Sequence, residues 1–259
     1  MTRPLVRVVE VDGAVVRTRT LAPAGHVRAA SGPTVVLVHG IGMSHRSFRR
    51  VHEVLSRSHR TITVDLPGHG GLPAPGRPMD IADLADVVVR ALAAVGMDRA
   101  VLVGHSMGSQ VVVEAALRHP TVVSGVVLVD PVVDDRRQTV RQQALGLFLD
   151  GFVEGVRMNA VVLTDYVRSR RQYPSALRAM IRYRLLDALP MVAVSVLVVR
   201  GTADPIARHG WVERVAAAGV DAHLVELRGP HQLPEHRPVA LGARIAAFVA
   251  DRARERAGR

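Results

Sequence analysis

The sequence predicts an α/β protein built on a doubly wound, mostly parallel sheet. Short continuous apolar runs recur at Thr34–Val38, Thr61–Val64, Val101–Val103, Val126–Val129 and Ser195–Val199. Such runs suit strands buried on both faces of a parallel sheet. Helical patterns lie between them, at about 46–57, 80–95, 107–119, 207–218 and 238–256. Strand and helix in alternation imply crossover connections. The third observation is size: 259 residues, 48% hydrophobic and 22% charged, enough to bury one large core.

Each element has a local reason. Val6–Val11 and Ala14–Thr20 flank Asp12-Gly13, a pair suited to a tight hairpin turn. The loop APAGHVRAASGP leads into the 34–38 strand, which ends in His39-Gly40. The 80–95 helix has Asp80 and Asp83 in its first turn, near the positive end of its dipole. Ala222–Leu227 adds a last strand, and the terminal RARERAGR is expected to fray. From Val132 to Leu189 the alternation stops: the periodicity is helical and the stretch is too long for a connecting loop. The expected layout is therefore a core of residues 1–131 and 190–259 with a helical cap over 132–189.

Composition excludes several functions. With no cysteine, the chain has no disulfide, thiolate metal site or cysteine nucleophile. No HExxH pair occurs, so no metal and no cofactor is expected. The formal net charge is +11, and all 34 basic side chains are arginine. They are scattered rather than blocked, and aromatics are only 3%, which argues against nucleic-acid binding. No apolar run reaches the roughly 18 residues of a membrane span, and the N-terminus MTRPLVRVVEVDG lacks a signal-peptide pattern. A cytoplasmic monomer or homodimer acting on a small molecule is expected.

The chemistry centres on VLVGHSMGSQ at 101–110. Gly104-x-Ser106-x-Gly108 between strand and helix is the pattern of a nucleophile elbow. The turn lifts the serine hydroxyl above the sheet edge, glycines give it room, and the helix N-terminus favours an anion there. A serine nucleophile needs a base and an orienting acid, which in this arrangement follow later strands. VLVVRGTADPI places Asp204 just past one strand and LVELRGPHQLPEHRP places His231 just past the next. Asp130, ending VVLVD, is the alternative acid, and His236 the alternative base. His59, His119, His209 and His223 read as ordinary surface or loop histidines. Oxyanion donors are expected from the backbone N–H of Met107 and of Ile41, in the loop VHGIGMS. His39 is expected to hold that loop by a hydrogen bond.

Together VVLVHGIG at 35–42, TVDLPGHG at 63–70, VLVGHSMGS at 101–109, VLVVRGTADP at 196–205 and PHQLPEHRP at 230–238 resemble the α/β-hydrolase superfamily. The resemblance implies Ser106 as nucleophile, Asp204 as acid and His231 as base, with 132–189 as the lid. Epoxide hydrolases and haloalkane dehalogenases of this fold have an aspartate nucleophile where this chain has Ser106. The long glycine run of hormone-sensitive-lipase-type esterases is absent from HGIG. The chain is more similar to small bacterial esterases, carbon–carbon bond hydrolases and cofactor-independent haloperoxidase-like enzymes.

The expected activity is hydrolysis of an ester-type bond (carboxylester, thioester or lactone) in a small, fairly apolar substrate. Alternatives are carbon–carbon hydrolysis of a ring-fission product and a low-turnover ligand-binding protein. Candidate pocket residues are Met43, Phe148, Phe152, Met158 and Leu163 beside Met107, each more readily read singly as cap-to-sheet packing. Cap arginines could favour an anionic substrate or simply be solvated.

Overall fold

The computed structural model describes residues 3–23, 33–136 and 156–257. Eight strands form one sheet: β1 (Leu5–Val11), β2 (Ala14–Leu21), β3 (Thr34–Val38), β4 (Thr61–Asp65), β5 (Ala100–His105), β6 (Val123–Val129), β7 (Val196–Gly201) and β8 (Ala222–Leu227). Their order is β1-β2-β4-β3-β5-β6-β7-β8. The β1–β2 and β2–β4 pairs are antiparallel and all the others parallel. The hairpin turn forms at Asp12 and Gly13, both left-handed with φ of 50° and 74°, as the primed turns of two-residue hairpins require.

The helices are α1 (Arg49–Leu55), α2 (Ile81–Ala94), α3 (Met107–Arg118), α4 (Val156–Ser169), α5 (Tyr173–Arg182), α6 (Leu185–Ala188), α7 (His209–Ala218), α8 (Leu233–His236) and α9 (Pro238–Ala257). The central strands are apolar at every position because both their faces are covered. Val35, Leu37, Val101 and Val103 pack with Phe48, Val51, Leu241 and Ile245 of the α1/α9 layer. Their neighbours Val36, Val38 and Leu102 pack on the other face with Leu84, Val88, Val112 and Trp211 of the α2, α3 and α7 layer. This is the period-two alternation of a strand, with hydrophobic partners on both sides.

The parallel strands end at one edge, and chain order reverses direction there: β4 lies on one side of β3 and β5 on the other. The crevice beyond the strand ends at such a reversal is the usual place for a ligand.

Helices α4 to α6 lie between β6 and β7 in the chain. They are tied to the core: Gln110 of α3 donates to the Met180 carbonyl at 3.0 Å, and Tyr183 donates to Glu114 at 2.9 Å. Ala176, Met180 and Leu185 join the same hydrophobic cluster as α3. The tail departs from expectation. Instead of fraying after Asp251, α9 continues to Ala257, and Arg252 is held by Ser195 and Asp221 at the start of β7 and β8. Among the described residues no helix is long and apolar enough to cross a membrane.

Leu102, fully buried in β5, carries the strand that presents Ser106. Leu102→Ala should cost about 2–5 kcal/mol. Chemical denaturation would measure it, and a change below about 1 kcal/mol would contradict this packing.

Candidate active site

The elbow is built by close approach. A Cβ on Gly104 would lie 2.1 Å from the Gly108 carbonyl oxygen, and one on Gly108 would lie 2.3 Å from the Val38 carbonyl oxygen. Any side chain at either position would push α3 away from β5 or β3. Between them Ser106 adopts φ 55°, ψ −122°, a conformation a non-glycine residue holds only when its surroundings enforce it. The enforcement is visible: Ser106 N–H donates to Val129 O at 2.9 Å, and Ser109 Oγ donates to Gly104 O at 3.0 Å. Met107 begins α3, so its N–H has no acceptor within the helix.

Asp204 and His231 meet next to this turn. His231 Nδ1 lies 2.7 Å from Asp204 Oδ2, and both side chains are buried. The other Asp204 oxygen accepts from the N–H groups of Ile206 at 2.6 Å and Ala207 at 3.0 Å. Burial opposes ionisation of Asp204, but His231 and those donors outweigh it and hold the carboxyl below its usual range. Gly201 lets the two loops approach, since a Cβ there would be 2.5 Å from the carbonyls of Gly229 and Pro230.

The β3 loop is pinned by His39. Its Nε2 accepts from Leu66 N–H at 3.0 Å, so its Nδ1 carries the proton and donates to Gly40 O at 2.7 Å. A trans peptide is planar, with C=O and N–H opposed. Fixing the Gly40 carbonyl therefore turns the Ile41 N–H the other way. Gly40 packs directly on the serine: a Cβ on it would lie 3.0 Å from Ser106 Cβ.

A sequence profile described as "alpha/beta hydrolase fold" matches residues 33–211. The chain belongs to the α/β hydrolase fold family. It is 34% identical over 101 residues to an uncharacterized protein of Mycobacterium tuberculosis, a match covering 39% of this chain and 30% of that one. The chain thus spans about a third of the length of those mycobacterial relatives. It is 24% identical to the (E)-2-((N-methylformamido)methylene)succinate hydrolase of Acinetobacter baylyi, over 70% of this chain and 76% of that one. The enol-lactonase of Burkholderia xenovorans superposes with a TM-score of 0.80, covering 94% of this chain and all of that one at 24% identity.

Within this α/β hydrolase, His105 has a part the sequence did not reveal. Its Nε2 donates to the backbone carbonyl of His231 at 2.9 Å, and the two rings pack at 5.0 Å. It holds the His231 loop and does not face it as a base. Asp130 ends β6 in a left-handed conformation (φ 47°) and is fully buried. One oxygen accepts from Gly201 N–H at 2.7 Å, and the other has no donor. His236 is the last residue of the short helix α8.

The insertion is latched over the β3 loop. Asp165 of α4 accepts from Ser44 at 2.6 Å and from Arg46 at 2.9 Å. Tyr166 and Tyr173 pack on each other at 4.7 Å, and Tyr173 covers Gly42. Beneath the loop, buried Asp65 gathers Arg17, Arg19 and His45. These contacts join residues far apart in sequence, so no local pattern announces them.

Of the pocket candidates, Met43 is buried beside Gly42 and Ser44. Phe148 and Phe152 lie outside the described residues, and so does the side chain of Met158. Leu163, on α4, is 64% exposed. Asp165 takes the inward side of α4, and a residue two positions earlier points about 200° away at 3.6 residues per turn.

Four buried imidazoles are held neutral, chiefly by burial. His52 falls to about 4, His69 and His105 to about 3, and His39 also below the ordinary 6.5. On acidification the unfolded chain takes up protons at 6.5 that the folded chain refuses, so stability rises with pH. The melting temperature should therefore fall between pH 6.5 and about 4, before carboxyls titrate near 3.8. His52→Gln, which can still donate to Thr61 O, should flatten that slope. A melting temperature constant over the window would contradict the assignment.

Proposed function

We propose that the protein is a serine hydrolase cleaving a carboxylester, thioester or lactone bond in a small, fairly apolar substrate. The observation that carries this reading is the buried 2.7 Å His231–Asp204 pair beside a strained serine at the head of a helix.

Ser106 attacks the carbonyl carbon while His231 takes its proton. Asp204 fixes the imidazole with Nδ1 protonated, which leaves Nε2 to act as base. The N–H groups of Met107 and Ile41 receive the oxyanion, aided by the positive end of α3. His231 then protonates the leaving group, water attacks the acyl-enzyme, and Ser106 is restored. The helical insertion roofs the site, with Asp165 holding it to the loop that carries Ile41. Fold likeness to an enol-lactonase favours including lactones beside open-chain esters.

A fluorophosphonate probe should label Ser106 in the wild type and leave Ser106→Ala unlabelled. His231→Gln should lower kcat for p-nitrophenyl butyrate by about 10⁴ or more. Equal labelling of wild type and Ser106→Ala would overturn the nucleophile assignment.

A further inference from the structure

The two faces of the sheet are covered unequally at its β1 edge. Val9 and Val11 pack against the cluster that holds α2. Val6 and Val8 point the other way and are 47% and 61% exposed. On that second face, the step between α1 and β2 encloses a cavity of about 590 Å³, a size usual for small-molecule sites. Val6 pairs with Arg19 across the hairpin, so Arg19 and, two residues on, Leu21 point to this face. Leu21 pairs with Thr61, at the start of β4. The cavity therefore runs from beside Asp65 toward the sheet end opposite Ser106, and none of Ser106, Asp204 and His231 lines it.

One wall is charged. Arg49 and Glu53 on α1 pair with each other and balance. Behind them Asp65 gives one negative charge to two guanidiniums, Arg17 at 3.2 Å and Arg19 at 2.7 Å. Arg19 makes that contact through Nη1 and lines the cavity. Arg57, just past α1, also lines it, is exposed, and pairs with no carboxylate among the described residues. The lining thus has positive charge in excess and N–H donors unused. The facing wall, Leu21, Ala22 and Pro23, is apolar. Between the walls the geometry is fixed: buried His52 of α1 donates from Nε2 to Thr61 O of β4 at 3.0 Å. A site held in place before its ligand arrives loses less on binding.

We propose that this cavity is a second binding site, for a small carboxylate with a short apolar chain. Arg19, only partly neutralised by Asp65, and Arg57 take the carboxylate, whose two oxygens match the planar fork of guanidinium donors. The chain lies on Leu21 and Pro23. The site stands whether or not Ser106 is a nucleophile.

Titration calorimetry of the full chain with hexanoate tests this. One saturable site should appear, with Kd about a millimolar or below. 1-Hexanol has the chain without the charge, and inorganic phosphate the charge without the chain; each should bind at least about tenfold more weakly. Arg57→Glu replaces an attraction by a repulsion at an exposed position and should weaken hexanoate about tenfold, with the melting temperature unchanged. The milder Arg57→Gln should weaken it about threefold. Ser106→Ala should bind as the wild type does. No saturation by about 10 mM, or wild-type affinity in both Arg57 variants, would overturn the proposal. Phosphate or hexanol binding as tightly as hexanoate would overturn the ligand class, and loss of binding in Ser106→Ala would move the ligand to the candidate active site.

Discussion

The candidate site depends on one steric constraint: helix α3 enters so close to strands β3 and β5 that only glycine fits at 104 and 108. The gaps are filled by backbone, with the Gly108 and Val38 carbonyl oxygens where a Cβ would be. That closeness forces the chain to reverse within one residue, and Ser106 takes the resulting strain at φ 55°. The same closeness places the α3 N-terminus, the end of β3 and Gly40 around the serine. Relaxing the approach would lower the strain and disperse the groups that surround the hydroxyl.

Around that turn the remaining parts are held by buried, mostly neutral hydrogen bonds. His39 is confined to one tautomer by the Leu66 N–H, and so can donate to the Gly40 carbonyl. His105 spends its Nε2 proton on the His231 carbonyl. Because burial keeps both rings uncharged, they position backbone without adding positive charge beside His231. Asp204 accepts from the Ile206 and Ala207 N–H groups and from His231, which together hold its carboxyl below the usual range despite burial.

Much of this is legible in the sequence because the informative signals are local. Continuous valine-rich runs identify doubly covered strands, and an acid and a histidine just past the last two strands fall where the chain must bring them to one sheet edge. Asp204 and His231 are found by that logic, and the structure places them in contact. What cannot be read locally is long-range pairing. The Ser44–Asp165 contact spans 121 residues, and the Arg252 contact to Ser195 spans 57. The first latches the insertion, and the second keeps helical a tail whose composition reads as frayed. The exposure of Leu163 is unreadable for a related reason: an apolar residue on an amphipathic helix shows its side only once Asp165 is known to face inward. Asp130 is visible as an acid at a strand end, but its lack of a second donor is a property of the packed site alone.

On the proposed mechanism Ser106 is the nucleophile, and its oxyanion falls between the N–H groups of Met107 and Ile41. The most direct test is a crystal structure of the protein after reaction with a small alkyl fluorophosphonate. Phosphorus should be bonded to Ser106 Oγ, with the phosphoryl oxygen about 2.7–3.1 Å from both nitrogens. An adduct on another residue, or a phosphoryl oxygen turned away from both N–H groups, would contradict it.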